Sequence, residues 1–311
     1  MKTICYSNEE SNNETKDLYI YMFVLGVLLC SCHSSRLPVA LNVASYNLRN
    51  ANGVDSAQGN GWGERCAVIA QMVQFHDFDI FGAQECFFHQ LQEMKKVLPH
   101  YDYIGVGRDD GKEKGEYAAI FYRTDKFEVL EKGNFWLSET PDVPSKGWDA
   151  ALPRICSWGH FRCKESGFEF LFFNLHMDHI GKKARVESAY LVQQKMQELG
   201  KGKKWPVILT GDFNVDQTHS SYAALVSNGM LQDAYEVCDF RYALNGTFNN
   251  FDPHRFTKER IDHIFVSPVF QVMKYGVLTD TYRNAFSGNY QARVPSDHFP
   301  VKVELKVNAH P

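Results

Sequence analysis

Five apolar runs in this 311-residue chain end or begin beside a carboxylate, an amide or an imidazole: Asn47, Glu85, His176, the pair Asp212 and Asn214, and Asp262. A sixth run is preceded by Asp297 and His298. A charge buried at a strand end is costly unless it is paired or bound to a metal, so a chain that repeats this placement is expected to converge these groups on one site. Glu85 and Asn47 offer hard oxygen ligands, which suit Mg²⁺ or Mn²⁺ far better than zinc. An imidazole with a carboxylate in reach can move a proton near neutral pH. Together these groups meet the needs of phosphoester hydrolysis: an anionic phosphoryl group to neutralise, a water to activate and a departing oxygen to stabilise.

The elements that must hold these residues follow from hydrophobic period. Strands alternate with amphipathic helices from residue 39 almost to the end. Strands are predicted at Val39 to Leu48, Asp79 to Gln84, Tyr117 to Tyr122, Arg154 to Cys163, Phe168 to Leu175, Val207 to Thr210, Ile261 to Val266 and Phe299 to Val307. Helices are predicted at Glu64 to Phe75, Phe87 to Leu98, Gly181 to Leu199 and Ser220 to Asn228. Many strands in one long domain, with helices between them, imply two packed sheets with helices outside. Asp212 and Asn214, two apart at one strand end, are expected to share a face and to aim together at a water and a phosphate. Cys66, Cys86, Cys156, Cys163 and Cys238 form no C-x-x-C pair and read as buried thiols.

Taken in order, Ser45-Tyr46-Asn47, Gln84-Glu85, Asn174-Leu175-His176-Met177-Asp178-His179, Gly211-Asp212-Phe213-Asn214, Arg260-Ile261-Asp262-His263-Ile264 and Ser296-Asp297-His298-Phe299-Pro300 resemble the motifs of the endonuclease/exonuclease/phosphatase superfamily. Any one tripeptide arises by chance; the ordered set at strand ends is specific. The resemblance spans residues 39–307. It implies an α/β four-layer α-β-β-α sandwich, two mixed sheets flanked by helices as in DNase I, in one domain over 38–308. It also implies a phosphodiesterase, nuclease or phosphatase that depends on Mg²⁺ or Mn²⁺. Glu85 would be the main metal ligand, helped by Asn47 and Asp297, with His298 held by Asp262 as general base. His176 would be the second imidazole, oriented by Glu116 as in the pancreatic-type deoxyribonucleases. Arg154 stands where relatives place a phosphate-contacting arginine, and Arg185, on the helix after His176, is a second clamp candidate.

Plainer roles stand beside these. Glu85 could cap the helix starting near Phe87. Asp178 and His179 either cap the helix after Gly181 or contact substrate. Arg49 and His176 depart from the abasic-site repair nucleases, which carry an acidic ligand and a tyrosine there, so that reading loses ground. The segment from Gly133 through Arg154 resembles bacterial relatives of uncharacterised activity. Their better-known kin are the nocturnin-like and deadenylase-type exonucleases, the sphingomyelinases and the inositol-phosphate phosphatases. The alternatives are therefore a 3'-5' exoribonuclease-type nuclease, a sphingomyelinase-like enzyme using Phe248 to Phe256 against lipid, and a non-catalytic binder on the same fold. The survival of Glu85, Asp212, Asp262, Asp297 and His298 argues against the last.

The formal net charge is −4. Duplex-binding proteins usually carry a strong basic excess, so bulk DNA is disfavoured as the main substrate. The expected substrate is a nucleotide, oligonucleotide, phospholipid head group or sugar phosphate. The run Leu18 to Leu29 is too short to span a bilayer and fits a signal-peptide core, and Leu29-Cys30-Ser31-Cys32 resembles a bacterial lipobox. Residues 1–32 are thus expected to be a leader, with lipid on Cys32 anchoring an exported monomer to a membrane.

Overall fold

The computed structural model describes residues 1, 39–203, 205–286 and 289–307. Apart from Met1, the expected leader, Cys32 included, lies outside the described residues. Pro38–Asn308 makes one unit. Its first sheet runs in the order β10 (Phe240–Tyr242), β12 (Gln271–Val277), β15 (Val301–Val307), β1 (Val39–Asn47), β2 (Ile80–Gln84), β4 (Ala118–Arg123), β3 (Tyr101–Ile104). The second runs β5 (Phe127–Trp136), β6 (Ile155–Cys163), β7 (Glu169–His176), β8 (Val207–Asp212), β11 (Asp262–Val266), β9 (Gln232–Asp233). Both sheets are mixed: β1 pairs parallel with β2 and β7 parallel with β8, while β15 and β11 run antiparallel to their neighbours. β13 (Tyr282–Phe286) and β14 (Asn289–Arg293) form a separate hairpin.

Among the described residues, alternation along the strands sorts most of the core into three bodies, beside a small fourth cluster of Ala118, Trp136 and Ile155. Val43, Ile80, Phe172, Ile208, Ile264 and Val303 meet between the sheets. Phe81, Ala83 and Phe121 face outward and pack under helices α2 (Trp62–Phe75) and α3 (Phe88–Val97); the short α1 (Gly53–Ala57) precedes them. On the other side Phe173, Leu175, Leu209 and Phe265 pack under α4 (Lys182–Leu199) and α5 (Ser220–Val226). A final short helix, α6 (Ala234–Val237), lies against β11 and β12. The result is the expected α-β-β-α sandwich. Cys156 and Cys163 lie on opposite faces of β6, and the five cysteines among the described residues are free thiols, although Cys238 is only half-buried.

One gradient in the inner face sets the position of the site. Along three strands the inward residues pass from apolar to small polar to functional, Val43–Ser45–Asn47, Phe172–Asn174–His176 and Ile208–Thr210–Asp212, while on β2 Ile80 and Gly82 lead to Gln84, which joins the polar tier. The middle tier crosses the seam between the sheets. Asn174 Oδ1 accepts from Gln84 Nε2 at 2.6 Å and from the Thr210 hydroxyl at 3.1 Å, while its amide donates to the Ala119 carbonyl at 2.8 Å. Glycine is required at 82, because a Cβ there would stand 2.2 Å from both Asn174 Oδ1 and Thr210 Oγ1.

Strands β3, β5 and β12 and the β13–β14 hairpin lie where sequence period predicts none. β3 and β5 are edge strands, and β5 alternates buried ends with a solvent-facing middle (Glu131, Lys132), so its apolar signal is weak. A Gly82→Ala substitution is expected to push the sheets apart at the polar tier and to cost at least about 2 kcal/mol. Chemical denaturation measures this; an unchanged midpoint would show that the seam is not close-packed there.

Candidate active site

Strand ends from both sheets deliver their polar residues to one place. Register sets His176 beside Asp212 across the parallel β7–β8 pair and Asp262 opposite Asp212 across β8–β11. Asn47 comes from the other sheet: its amide reaches Asp212 Oδ2 at 3.0 Å and Glu85 Oε1 at 2.9 Å. His298, just before β15, sets Nδ1 2.8 Å from Asp262 Oδ2 and Nε2 3.7 Å from Asp212 Oδ2. His176 Nε2 lies 3.5 Å from that same Asp212 oxygen. All these groups are buried.

Three of the chain's left-handed non-glycine residues supply the turns that make this convergence possible: Arg49 (φ 58), Glu85 (φ 68) and Asn214 (φ 52). Each follows the end of a strand by one or two residues, and such strain persists where surrounding contacts over-determine it. Asn214 therefore does not share a strand face with Asp212, as residue spacing suggested. The chain leaves β8 at Asp212, and the turn brings the Asn214 amide to His176 Nε2 at 3.1 Å and the Met177 carbonyl at 3.0 Å, with its N–H on Asp212 Oδ1 at 2.9 Å. Glu85 does not cap α3, whose first free N–H, on Phe87, is met by Gln90 Oε1 at 3.1 Å.

Electrostatics follow from burial and like charge. Burial and the neighbouring Asp262 push the Asp212 carboxyl up to about 7; burial and Glu85 push Asp297 up to about 6 against the pull of His298 and Arg49. Burial alone would lower His298, but the carboxylates of Asp262 and Asp212 hold it well above the usual imidazole range. His176 moves the other way, because it is buried and faces Arg154 and Arg108.

The donor set fits a hard divalent cation. Glu85, His176 and Asp212 bring ligand atoms within 4.8 Å of one another. Arg49, anchored on Asp55 at 2.8 Å, extends its guanidinium between Glu85 (3.9 Å) and Asp297 (3.4 Å), so these two acids beside Asn47 already draw positive charge. Turning the Asn47 amide would present its oxygen to the same space.

Other expected residues are placed differently. Glu116 does not orient His176: its carboxylate is taken by Arg108 at 2.5 Å and Asn50 at 3.1 Å, and His176 Nδ1 has no protein partner. Arg154 reaches the site, held by Asp178 (3.4 Å) and His179 (2.9 Å). Arg185 instead donates to the Asp178 carbonyl at 2.8 Å and has no described bond to the cluster. Asp178 accepts the N–H groups of Ile180, Gly181 and Ala151, a structural role, and Asp149 rather than Asp178 caps the first turn of α4. Of the segment Phe248 to Phe256, Phe248 packs edge-on against the His298 ring at 5.1 Å, and Phe256 is exposed. Arg108 and Asn50 were not foreseen; both sit in polar loops where residue type alone gives no signal.

A model described as the Endonuclease/Exonuclease/phosphatase family matches residues 44–298. The crystal structure of a family protein from Bacteroides thetaiotaomicron matches with a TM-score of 0.87 at 76% identity, covering 88% of this chain and 100% of that one. A second structure from the same organism, named a mannosyl-6-phosphatase, gives a TM-score of 0.84 at 78% identity over 85% of this chain and 99% of its own. Human nocturnin is 25% identical over 191 residues, 57% of this chain and 42% of its own length.

His263, next to Asp262, points away from the cluster. Its Nδ1 faces Arg260 at 2.9 Å and its Nε2 the Val215 carbonyl at 2.9 Å, which together favour the neutral ring. Burial and Arg260 lower it to about 4. A depressed imidazole contributes stability that is complete above its unfolded value near 6.5 and is lost as pH falls towards 4, in all about 3 kcal/mol. Urea unfolding from pH 7.5 to 4.5 should show this slope in the wild type and a flatter one in His263→Gln. Equal slopes would assign the acid sensitivity elsewhere.

Proposed function

The chain belongs to the endonuclease/exonuclease/phosphatase family and is a phosphoester hydrolase, and we propose that it is a phosphomonoesterase acting on hexose 6-phosphates, mannose 6-phosphate first among them, with Mg²⁺ or Mn²⁺ as cofactor. The observation that carries the chemistry is the Asp262–His298 pair facing Asp212 while Asn47, Glu85 and Asp297 lie alongside. The likeness to the mannosyl-6-phosphatase, at 78% identity over nearly its whole length, supports the choice of substrate. The absence of a basic excess in the chain supports a small substrate over a polynucleotide.

Glu85, Asp297 and Asn47 would hold the metal ion, which supplies positive charge to a phosphoryl oxygen. The remaining work belongs to the side chains. Asp212, poised near neutrality, takes a proton from the attacking water. His298, kept protonated by Asp262, donates to a phosphoryl or leaving oxygen through Nε2. This differs from a general-base assignment for His298, because two carboxylates beside one imidazole favour its charged form. Asn214 fixes the His176 ring.

Phosphate release from mannose 6-phosphate with Mg²⁺ or Mn²⁺ tests the proposal. Activity should vanish with EDTA and fall about 10³-fold in Asp262→Asn, which keeps the shape of the pair but not its charge. Release that survives EDTA, or a clear preference for an RNA oligonucleotide over any sugar phosphate, would sink it.

A further inference from the structure

Beside the cluster lies a small cavity, with room for roughly one water-sized group, lined by Arg108, Glu116, Arg154 and His176 and walled by Tyr117 and Ile155. Three buried nitrogens on these residues have no hydrogen-bond partner: Arg108 Nε, whose nearest acid is Asp109 Oδ1 at 3.9 Å, Arg154 Nη1 and His176 Nδ1. Each side chain is otherwise pinned. Arg108 is tied through Nη1 to Glu116, Arg154 through Nε and Nη2 to Asp178 and His179, and His176 through Nε2 to Asn214. The Asn214 amide donates to the Met177 carbonyl and has its second hydrogen for His176 Nε2, so the neutral imidazole carries its proton on Nδ1. All three orphan atoms are therefore donors. The one acid in the wall, Glu116, is already engaged by Arg108 and Asn50. Burying unsatisfied donors on two neighbouring guanidinium groups is costly, which points to an anionic oxygen as the missing partner.

We propose that this cavity receives one unsubstituted oxygen of the substrate's phosphoryl group and that Arg108 and Arg154 thereby select monoesters over diesters. The inference rests on the phosphomonoesterase reading and extends it to the residues that impose it. A monoester offers three unsubstituted oxygens and nearly two negative charges; a diester offers two and one. With the attacking water in line with the leaving oxygen, the three other substituents surround that axis; the metal side takes one oxygen and the arginines another, and the nearly doubly charged monoester gains more from two guanidinium groups than a singly charged diester does. In the cavity a lone oxygen fits, whereas an O–R substituent exceeds the space. Arg108 and Arg154 are specificity-determining residues in this account, and Glu116 is a positioning residue that acts through Arg108.

The test compares kcat/KM for mannose 6-phosphate and its methyl diester in the wild type, in Arg108→Lys and in the charge-balanced double variant Arg108→Gln/Glu116→Gln, with melting temperatures confirming the fold. The double variant should lose about 100-fold on the monoester but less than about 10-fold on the diester, and Arg108→Lys should recover part of the difference. Competitive inhibition by inorganic phosphate should weaken in parallel. An unchanged monoester-to-diester ratio with unchanged phosphate inhibition in folded variants would overturn the inference and leave the monoesterase reading intact. A wild type that prefers the diester would instead overturn the monoesterase reading, and this inference with it.

Discussion

Asp212 is a carboxylate with 1% of its surface exposed, at the seam between two sheets, and the arrangement of the site follows from making that burial tolerable. An uncompensated buried charge would cost several kcal/mol. Two donors close on its Oδ2, the Asn47 amide from one sheet and His298 from the entry to β15, and the neutral His176 ring from the other sheet stands 3.5 Å away. Each of these is in turn held by another residue, Glu85 for Asn47, Asn214 for His176, Asp262 for His298. The polar tier below, with Gln84, Asn174 and Thr210 bonded across Gly82, lets the two sheets approach closely enough for these contacts to form.

The site is bipolar. Glu85, Asp297 and Asp262 with Asp212 form an acidic half, into which Arg49 already extends; Arg108 and Arg154 form a basic half around a small cavity. His176 stands between, kept neutral by burial and by the arginines it faces. A divalent cation suits the first half and an anionic phosphoryl group the second, so a metal-bound phosphate ester complements the whole in a way that neither the cation nor the ester does alone.

Much of this was legible in the sequence because the strands that build the site are buried on both faces. β1, β2, β7 and β8 read as continuous apolar runs, and the polar residues that end them stand out against that background. Edge strands such as β5 carry mixed faces and leave no such mark. Residue type reveals a glutamate after β2 but not the left-handed turn that swings it onto Asn47, because the sign of φ is set by the surrounding contacts. Spacing likewise cannot tell which cation a loop acid will meet: Glu116 belongs to Arg108, eight residues upstream, and not to His176. Arg185 was placed correctly on its helix, yet its guanidinium turns to the Asp178 carbonyl.

Groups from the two sheets converge on Asp212, and on this geometry they act as one unit. A double-mutant cycle between Asn47→Ala and His176→Ala, which lie on different sheets and both approach that carboxylate, tests this coupling. The account predicts that the combined loss in kcat/KM falls short of the product of the single losses by about 10-fold or more. Losses that simply multiply would mean that the two residues work independently, and Asp212 would then not be the point that joins them.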